Sequence, residues 1–143
     1  MQKILFVCTG NTCRSPMAQA MANDIFEKQG ILLKAASCGV FAMAGGAASA
    51  HAVAVLSDEY GLDLSGHASS PVRPTDVEKA AAIIAMTRGH KEHLLEAYPQ
   101  FADKIYTLDG DVADPFGGSL EIYKNCAFQI KTYLEKIEWG KYL

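Results

Sequence analysis

Ile4-Leu5-Phe6-Val7-Cys8-Thr9-Gly10-Asn11-Thr12-Cys13-Arg14-Ser15-Pro16 is the stretch on which the fold of this 143-residue chain turns. A short apolar run that stops at a glycine-containing loop has the pattern of a buried strand. Pro16 then suits the first turn of a helix, where its missing N–H is not needed. Strand, tight loop and helix in that order put the loop beyond the carboxyl end of a strand, the edge at which α/β sheets bind ligands. Within that loop Cys8 and Arg14 bracket five residues.

Working outward, the helix predicted over residues 16–29 carries Met17, Ala20, Met21 and Ile25 on one face and stops at Gly30. A weaker strand follows over 34–40, then a loop at Gly45-Gly46 and a helix over 50–60 ended by Gly61. Residues 65–74 are polar and proline-containing, hence loop or short extended chain. The apolar run 80–86 reads as a central strand, 88–98 as a helix closed by Pro99, and 104–108 as a further strand. After an acidic loop over 109–118, Ser119 caps a long helix running to about residue 139. Its predicted inner stripe is Leu120, Tyr123, Ala127, Ile130, Leu134 and Ile137. Four strands alternating with helices predict one α/β domain over residues 1–143, a parallel sheet with helices on both faces.

Composition removes several functions. A net charge of −3 gives no basic footprint, so nucleic acid is not an expected partner. The N-terminal apolar run is too short for a signal-peptide core, and no stretch reaches the length of a membrane span. The expectation is a cytoplasmic protein with no membrane partner, whose cysteines need not be paired. Cys8, Cys13, Cys38 and Cys126 do not form paired CxxC knuckles, which speaks against zinc. Counting twelve positions from Asp109 or Asp111 reaches Leu120 or Ile122, where an EF-hand needs glutamate. His90 and His93 share a helix face without a third ligand in view, and read as solvated. Cys38 reads as a small buried filler.

The loop chemistry is that of an anion cradle around a sulfur nucleophile. A thiolate, not a thiol, attacks, so the groups around Cys8 must favour negative charge. The amides of residues 9–14 can curl inward as a nest, the following helix offers its positive end, and Arg14 adds a full charge. Ser15 can donate to the sulfur. Gly10 and Asn11 are residue types that tolerate left-handed backbone. The planar fork of Arg14 suits two oxygens of one phosphoryl group. A bare Cys-x5-Arg also arises from a core cysteine and a surface arginine. The preceding strand, the Gly-Asn pair, the serine after Arg14 and the proline opening the helix favour the cradle. A leaving group would need a proton from another loop at the same sheet edge. Asp114, stiffened by Pro115, is the candidate, with a plain turn-forming aspartate as the alternative.

These residues resemble the low-molecular-weight protein tyrosine phosphatase family over essentially the whole chain. The resemblance is carried by Val7-Cys8-Thr9-Gly10-Asn11-Thr12-Cys13-Arg14-Ser15-Pro16-Met17-Ala18, Ser65-Gly66-His67, Ala85-Met86-Thr87 and Asp114-Pro115-Phe116-Gly117-Gly118-Ser119. It implies that family's fold, with strand order 2-1-3-4. It also implies Cys8 as nucleophile, Arg14 as phosphate clamp and Asp114 as general acid and then base. Asn11, Ser15 and His67 would hold the loop in shape, and Cys13 would trap Cys8 as a reversible disulfide. No metal and no organic cofactor is implied; the partners are a phosphorylated protein substrate and inorganic phosphate as product.

Tyrosine-directed members usually carry an aliphatic residue where Thr12 stands and tyrosine where Phe116 stands. Thr12 with Asp114-Pro115-Phe116-Gly117-Gly118 is similar to the bacterial protein-arginine phosphatase branch. A threonine hydroxyl can bond near a slim, polar phosphoarginine or assist the attacking water, where isoleucine would crowd and dry the site. Phe41 either walls the pocket or belongs to the core. Cys38 and Gln19 depart from the residues common in the family, alanine and glutamate, away from the expected chemistry. Arsenate reductases of this fold relay oxidation through further cysteines, and residues 39–125 contain none. A phosphate-binding module or phosphocysteine carrier would have no use for Asp114.

Overall fold

A computed structural model describes residues 1–143. Four parallel strands, β1 (Gln2–Cys8), β2 (Leu33–Gly39), β3 (Ala82–Ala85) and β4 (Ile105–Thr107), form one sheet in the order β2-β1-β3-β4. The helices are α1 (Arg14–Gln29), α2 (Ala50–Tyr60), α3 (Pro74–Lys79), α4 (Arg88–Ala97) and α5 (Leu120–Glu135), with short 3-10 segments at Pro99–Lys104 and Trp139–Tyr142.

The period of two along a strand sorts side chains to opposite faces, and β1 does this without a break. Ile4, Phe6 and Cys8 join the larger core, with Met17 and Met21 of α1, Leu56 of α2 and Ile130 and Leu134 of α5. Leu5 and Val7 join the smaller one, with Val77 of α3, Leu94 of α4 and Ile105 of β4. Helices therefore cover both faces. Fully burying an Ile, Phe or Val side chain contributes about 1.5–3 kcal/mol, and Ile4, Phe6 and Val7 are wholly buried. The candidate loop thus leaves the most firmly held strand. The winding reverses between β1 and β3, with β2 added outside the one and β4 outside the other, so the loop also opens at the switch point of the sheet.

Several boundaries differ from expectation. Helix α1 begins at Arg14 rather than residue 16, leaving Pro16 inside its first turn, and ends at Gly30 in the left-handed region (φ 66°). The strand expected over 80–86 shortens to β3, because Ala80 terminates α3 and the N–H of Ala81 bonds the Lys3 carbonyl. Helix α3 was not foreseen within or beside the loop read over 65–74. Its six residues are too few for a periodic signal, and the Arg73 N–H closes onto Asp76 Oδ2 at 3.2 Å to start it. The last helix stops at Glu135. Ile137 lies beyond it yet still packs against the larger core, and Leu120 at its start is exposed, so Leu120 leaves the predicted inner stripe. No helix is long and apolar enough to cross a membrane.

Candidate active site

The turn from β1 into α1 wraps a cavity of about 220 Å3 lined by Cys8, Thr9, Gly10, Thr12, Cys13, Arg14, Asp114 and Phe116. Its floor is Cys8, whose Sγ lies 2.8 Å from Ser15 Oγ. Ser15 accepts the Asn11 amide at 2.8 Å, and its one hydroxyl proton has two acceptors within reach, the sulfur at 2.8 Å and the Cys38 carbonyl at 3.4 Å, of which the sulfur is the nearer. Cys13, at the N-cap of α1, provides no side-chain cap, and the helix presents its first turn to the loop.

Asn11 is the keystone of the loop's shape. It is the one non-glycine residue with positive φ (57°) and is wholly buried. Its Nδ2 donates to Ser15 and to Ser37 Oγ (3.0 Å), and its Oδ1 accepts the Ser70 N–H at 3.0 Å. Ser37 in turn donates to Gln19 Oε1. Gln19, expected to stand clear of the chemistry, is therefore two bonds from the residue that shapes the loop. His67 Nε2 meets the Asn11 carbonyl at 2.8 Å. A carbonyl only accepts, so the His67 proton sits on Nε2. Gly10 does not share the left-handed role expected of it. The glycine that matters more is Gly39, at the end of β2: a Cβ there would overlap the Thr9 carbonyl oxygen. Its absence lets Val40 and Phe41 donate their N–H groups to the Cys8 and Thr9 carbonyls at 2.9 and 3.0 Å.

Arg14 is buried, yet the carboxylate nearest to it is half-exposed Asp114, at 3.8 Å. Its other bonds run from Nη1 to the Val112 carbonyl (2.9 Å) and from Nη2 to Thr9 Oγ1 (3.3 Å). A buried cation so thinly paired favours an anion in the cavity. Asp114 is set by an Asx turn, with Oδ1 accepting the Phe116 N–H at 3.1 Å. Gly117 (φ 79°) and the Gly118 N–H bond to the Pro115 carbonyl close the turn. The loop is tied to the sheet by the Val112 N–H on the Met86 carbonyl.

Cys13, which also lines the cavity, lies against Tyr123 Oη (3.3 Å) and Ser49 Oγ (3.4 Å). Burial, with the Cys13 contact second, pushes the Tyr123 hydroxyl up to about 12, so it stays protonated. Cys126 is likewise pushed up to about 12 by burial and stays a thiol under the Ala113 carbonyl. Cys38 is buried in the smaller core, as a filler would be. All four cysteines are free thiols.

Two expectations are corrected. Phe41 neither walls the cavity nor enters the core. It is 71% exposed, with its ring edge-on to His93 at 5.2 Å. The Phe41 N–H is held by the Thr9 carbonyl at 3.0 Å, while its side chain faces away from the cavity toward His93. His90 is not on a solvated face but buried, bonded to Thr9 Oγ1 through Nε2 (2.8 Å) and to Thr87 Oγ1 through Nδ1 (3.0 Å). Thr87 caps α4 and His90 is its third helical residue, the position from which a side chain reaches back to the cap. That spacing after a strand was the available signal. Val112 was also missed, and a backbone acceptor leaves no trace in side-chain identity.

With this geometry in view, the family model for low molecular weight phosphotyrosine protein phosphatase matches residues 3–139. The chain belongs to that family. It is 42% identical over 142 residues to a protein-arginine-phosphatase of Geobacillus stearothermophilus, covering 94% of this chain and 93% of that one. The solved structure of a low molecular weight protein tyrosine phosphatase from T. tengcongensis superposes with a TM-score of 0.92 at 44% identity, covering 95% and 97% of the two chains. An arginine phosphatase in which serine replaces cysteine, solved with its active-site serine phosphorylated, gives 0.89 at 41% identity, with 93% and 91% covered. Like other members, this chain has a family fold built on a cysteine-based phosphatase site.

Proposed function

We propose that this protein is a phosphatase of phosphoarginine side chains on proteins, working through a cysteinyl-phosphate. Cys8 Sγ attacks phosphorus, the S–P bond forms as the N–P bond breaks, and Asp114 gives its proton to the departing guanidine. Water then attacks phosphorus with Asp114 as base, the S–P bond breaks, and inorganic phosphate leaves. Arg14 and the loop amides hold the three non-reacting oxygens throughout. Asn11, Ser15 and His67 keep the loop curled, and Thr9, Gly10, Thr12 and Cys13 supply its lining. The four unpaired thiols are in keeping with a cytoplasmic protein.

The observation that carries the arginine assignment is Thr12. Its half-buried side chain lines the same cavity as Cys8, Arg14 and Asp114. A hydroxyl there favours a polar leaving group and a bound water over an aromatic ring. Similarity to the Geobacillus stearothermophilus arginine phosphatase supports the same reading. Phosphotyrosine is the second reading, favoured by the exposed Phe116 ring at the rim, an apolar wall for an aryl group. Matched phosphoarginine and phosphotyrosine peptides decide between them through kcat/KM, repeated with Thr12→Ile. Preference for phosphoarginine, lost or reversed in Thr12→Ile, is the expected result. Equal or tyrosine-biased rates in the unmodified protein end the arginine assignment and leave the phosphatase assignment standing.

A further inference from the structure

The residue that the proposed reaction does not use, yet that touches its machinery, is His90. Its ring spans two hydroxyls. Nδ1 is 3.0 Å from Thr87 Oγ1, which also accepts the His90 backbone N–H at 3.2 Å. Nε2 is 2.8 Å from Thr9 Oγ1, 81 positions away in the chain. Thr9 lines the cavity beside Cys8 and receives Arg14 Nη2 at 3.3 Å. A relay of side chains thus runs from the end of β3 through α4 to the guanidinium: Thr87, His90, Thr9, Arg14.

We propose that His90 is a positioning residue for phosphoryl binding, which fixes the Thr9 hydroxyl so that its oxygen holds the Arg14 fork in register with the phosphate oxygens. The proposal rests on the reading of Cys8 and Arg14 as the phosphoryl site.

Proton counting supports it. A guanidinium has no acceptor, so Thr9 Oγ1 must offer Arg14 a lone pair. Threonine has three staggered χ1 positions; the 3.3 Å bond to Arg14 holds Oγ1 loosely in one of them, and the shorter 2.8 Å bond to His90 fixes it there. With the imidazole neutral, either tautomer keeps one oxygen lone pair on Arg14. With the proton on Nε2, Thr9 accepts from both neighbours and its own hydroxyl proton is left for the cavity. With the proton on Nδ1, Thr9 donates to the ring. Arg14 has one other firm anchor, the Val112 carbonyl on Nη1. The side-chain torsions leading to Nε can still swing the guanidinium about a single anchored Nη1; a second bond, on Nη2, fixes the plane of the fork. A bidentate clamp depends on that plane.

Two substitutions separate this role from mere packing. The amide of His90→Asn lies at the depth of Nδ1, keeping the Thr87 side and abandoning Thr9. The longer amide of His90→Gln reaches the place of Nε2. Both are compared with Thr9→Val and with the double variant Thr9→Val/His90→Asn, using para-nitrophenyl phosphate turnover and inhibition by inorganic phosphate, with melting temperatures measured alongside. His90→Asn is expected to lower kcat/KM about 10-fold, the scale of one hydrogen bond to a charged group. Phosphate inhibition should weaken with it, and His90→Gln should restore most of both. In the Thr9→Val background His90→Asn should cost nothing further, since its route to Arg14 is already gone. Full additivity in the double variant, unchanged phosphate inhibition in His90→Asn, or losses that follow melting temperature and not side-chain reach would overturn the proposal. An inactive unmodified protein would instead remove the phosphatase reading beneath it.

Discussion

Arg14 Nη1 donates to the Val112 carbonyl at 2.9 Å, joining the first residue of α1 to the loop that carries Asp114 across 98 positions of chain. The bond makes one unit of two loops that are far apart in sequence. The cation expected to bind phosphate thereby also holds the segment that presents the expected acid. Arg14→Lys should therefore do more than remove a charge-assisted bond. A lysine ammonium has no fork, and cannot reach Val112, Thr9 and a phosphate oxygen together. Aryl phosphate turnover is expected to fall by about 10²–10³ in kcat/KM. A loss below tenfold would show that the guanidinium geometry is not needed.

Asp114 stands over the cavity half-exposed, with Oδ1 engaged by the Phe116 N–H and Oδ2 facing Arg14. Removing the ionisable carboxyl while keeping the turn is possible with Asp114→Asn, whose amide oxygen can still accept from Phe116. General acids contribute about 10²–10⁴ where the leaving group needs a proton. The variant should be slowed most on aryl phosphates with poor leaving groups and least on nitrophenyl phosphate. Parallel slowing across a leaving-group series would place the acid elsewhere.

Asn11 combines strained backbone with four partners, and the two contributions can be pulled apart. Asn11→Gly keeps the ease of positive φ but loses the bonds to Ser15, Ser37 and Ser70. Asn11→Ala loses both. Stranded buried polar groups cost about 1–3 kcal/mol and a left-handed alanine about 1–2 kcal/mol. Urea denaturation should rank the proteins native, Gly, then Ala, with Ala lower by about 2–5 kcal/mol in total. Equal stability of the two variants would mean that the loop relaxes out of the left-handed conformation.

How far the sequence reaches is visible in these same residues. The unbroken apolar run of β1 and the Gly30 stop of α1 made that unit legible, because burial and backbone freedom both leave marks in residue type. Cys8, Asn11, Arg14 and Ser15 followed from their place at the end of β1. What was hidden depends on atoms that sequence does not distinguish. The Val112 carbonyl could belong to any residue, and the backbone bond that holds Phe41 beside Thr9 with its ring outside the cavity is equally independent of residue type. Helix α3 is shorter than two turns. His90 sits at helical spacing from exposed His93, and periodicity alone assigned the pair to one environment, while the sheet edge buried one and left the other in water.

That burial gives His90 a pH signature. Burial first, and then the neighbouring Arg14 cation, push its imidazole down to about 4 from an ordinary value of 6.5, with Asp114 and Asp111 opposing and His93 adding slightly. The folded state thus keeps His90 neutral where the unfolded chain binds a proton. Stability contributed in this way is complete above pH 6.5 and is lost progressively as pH falls toward 4, at up to one proton per molecule. Denaturation midpoints measured between pH 7 and 4 should decline, and the decline should be shallower by about one proton in His90→Gln, which has nothing to titrate. Identical slopes in the two proteins would mean that His90 charges freely in the folded state. The imidazole would then bring a second cation beside Arg14, and the neutral relay through Thr9 would not survive below pH 6.5.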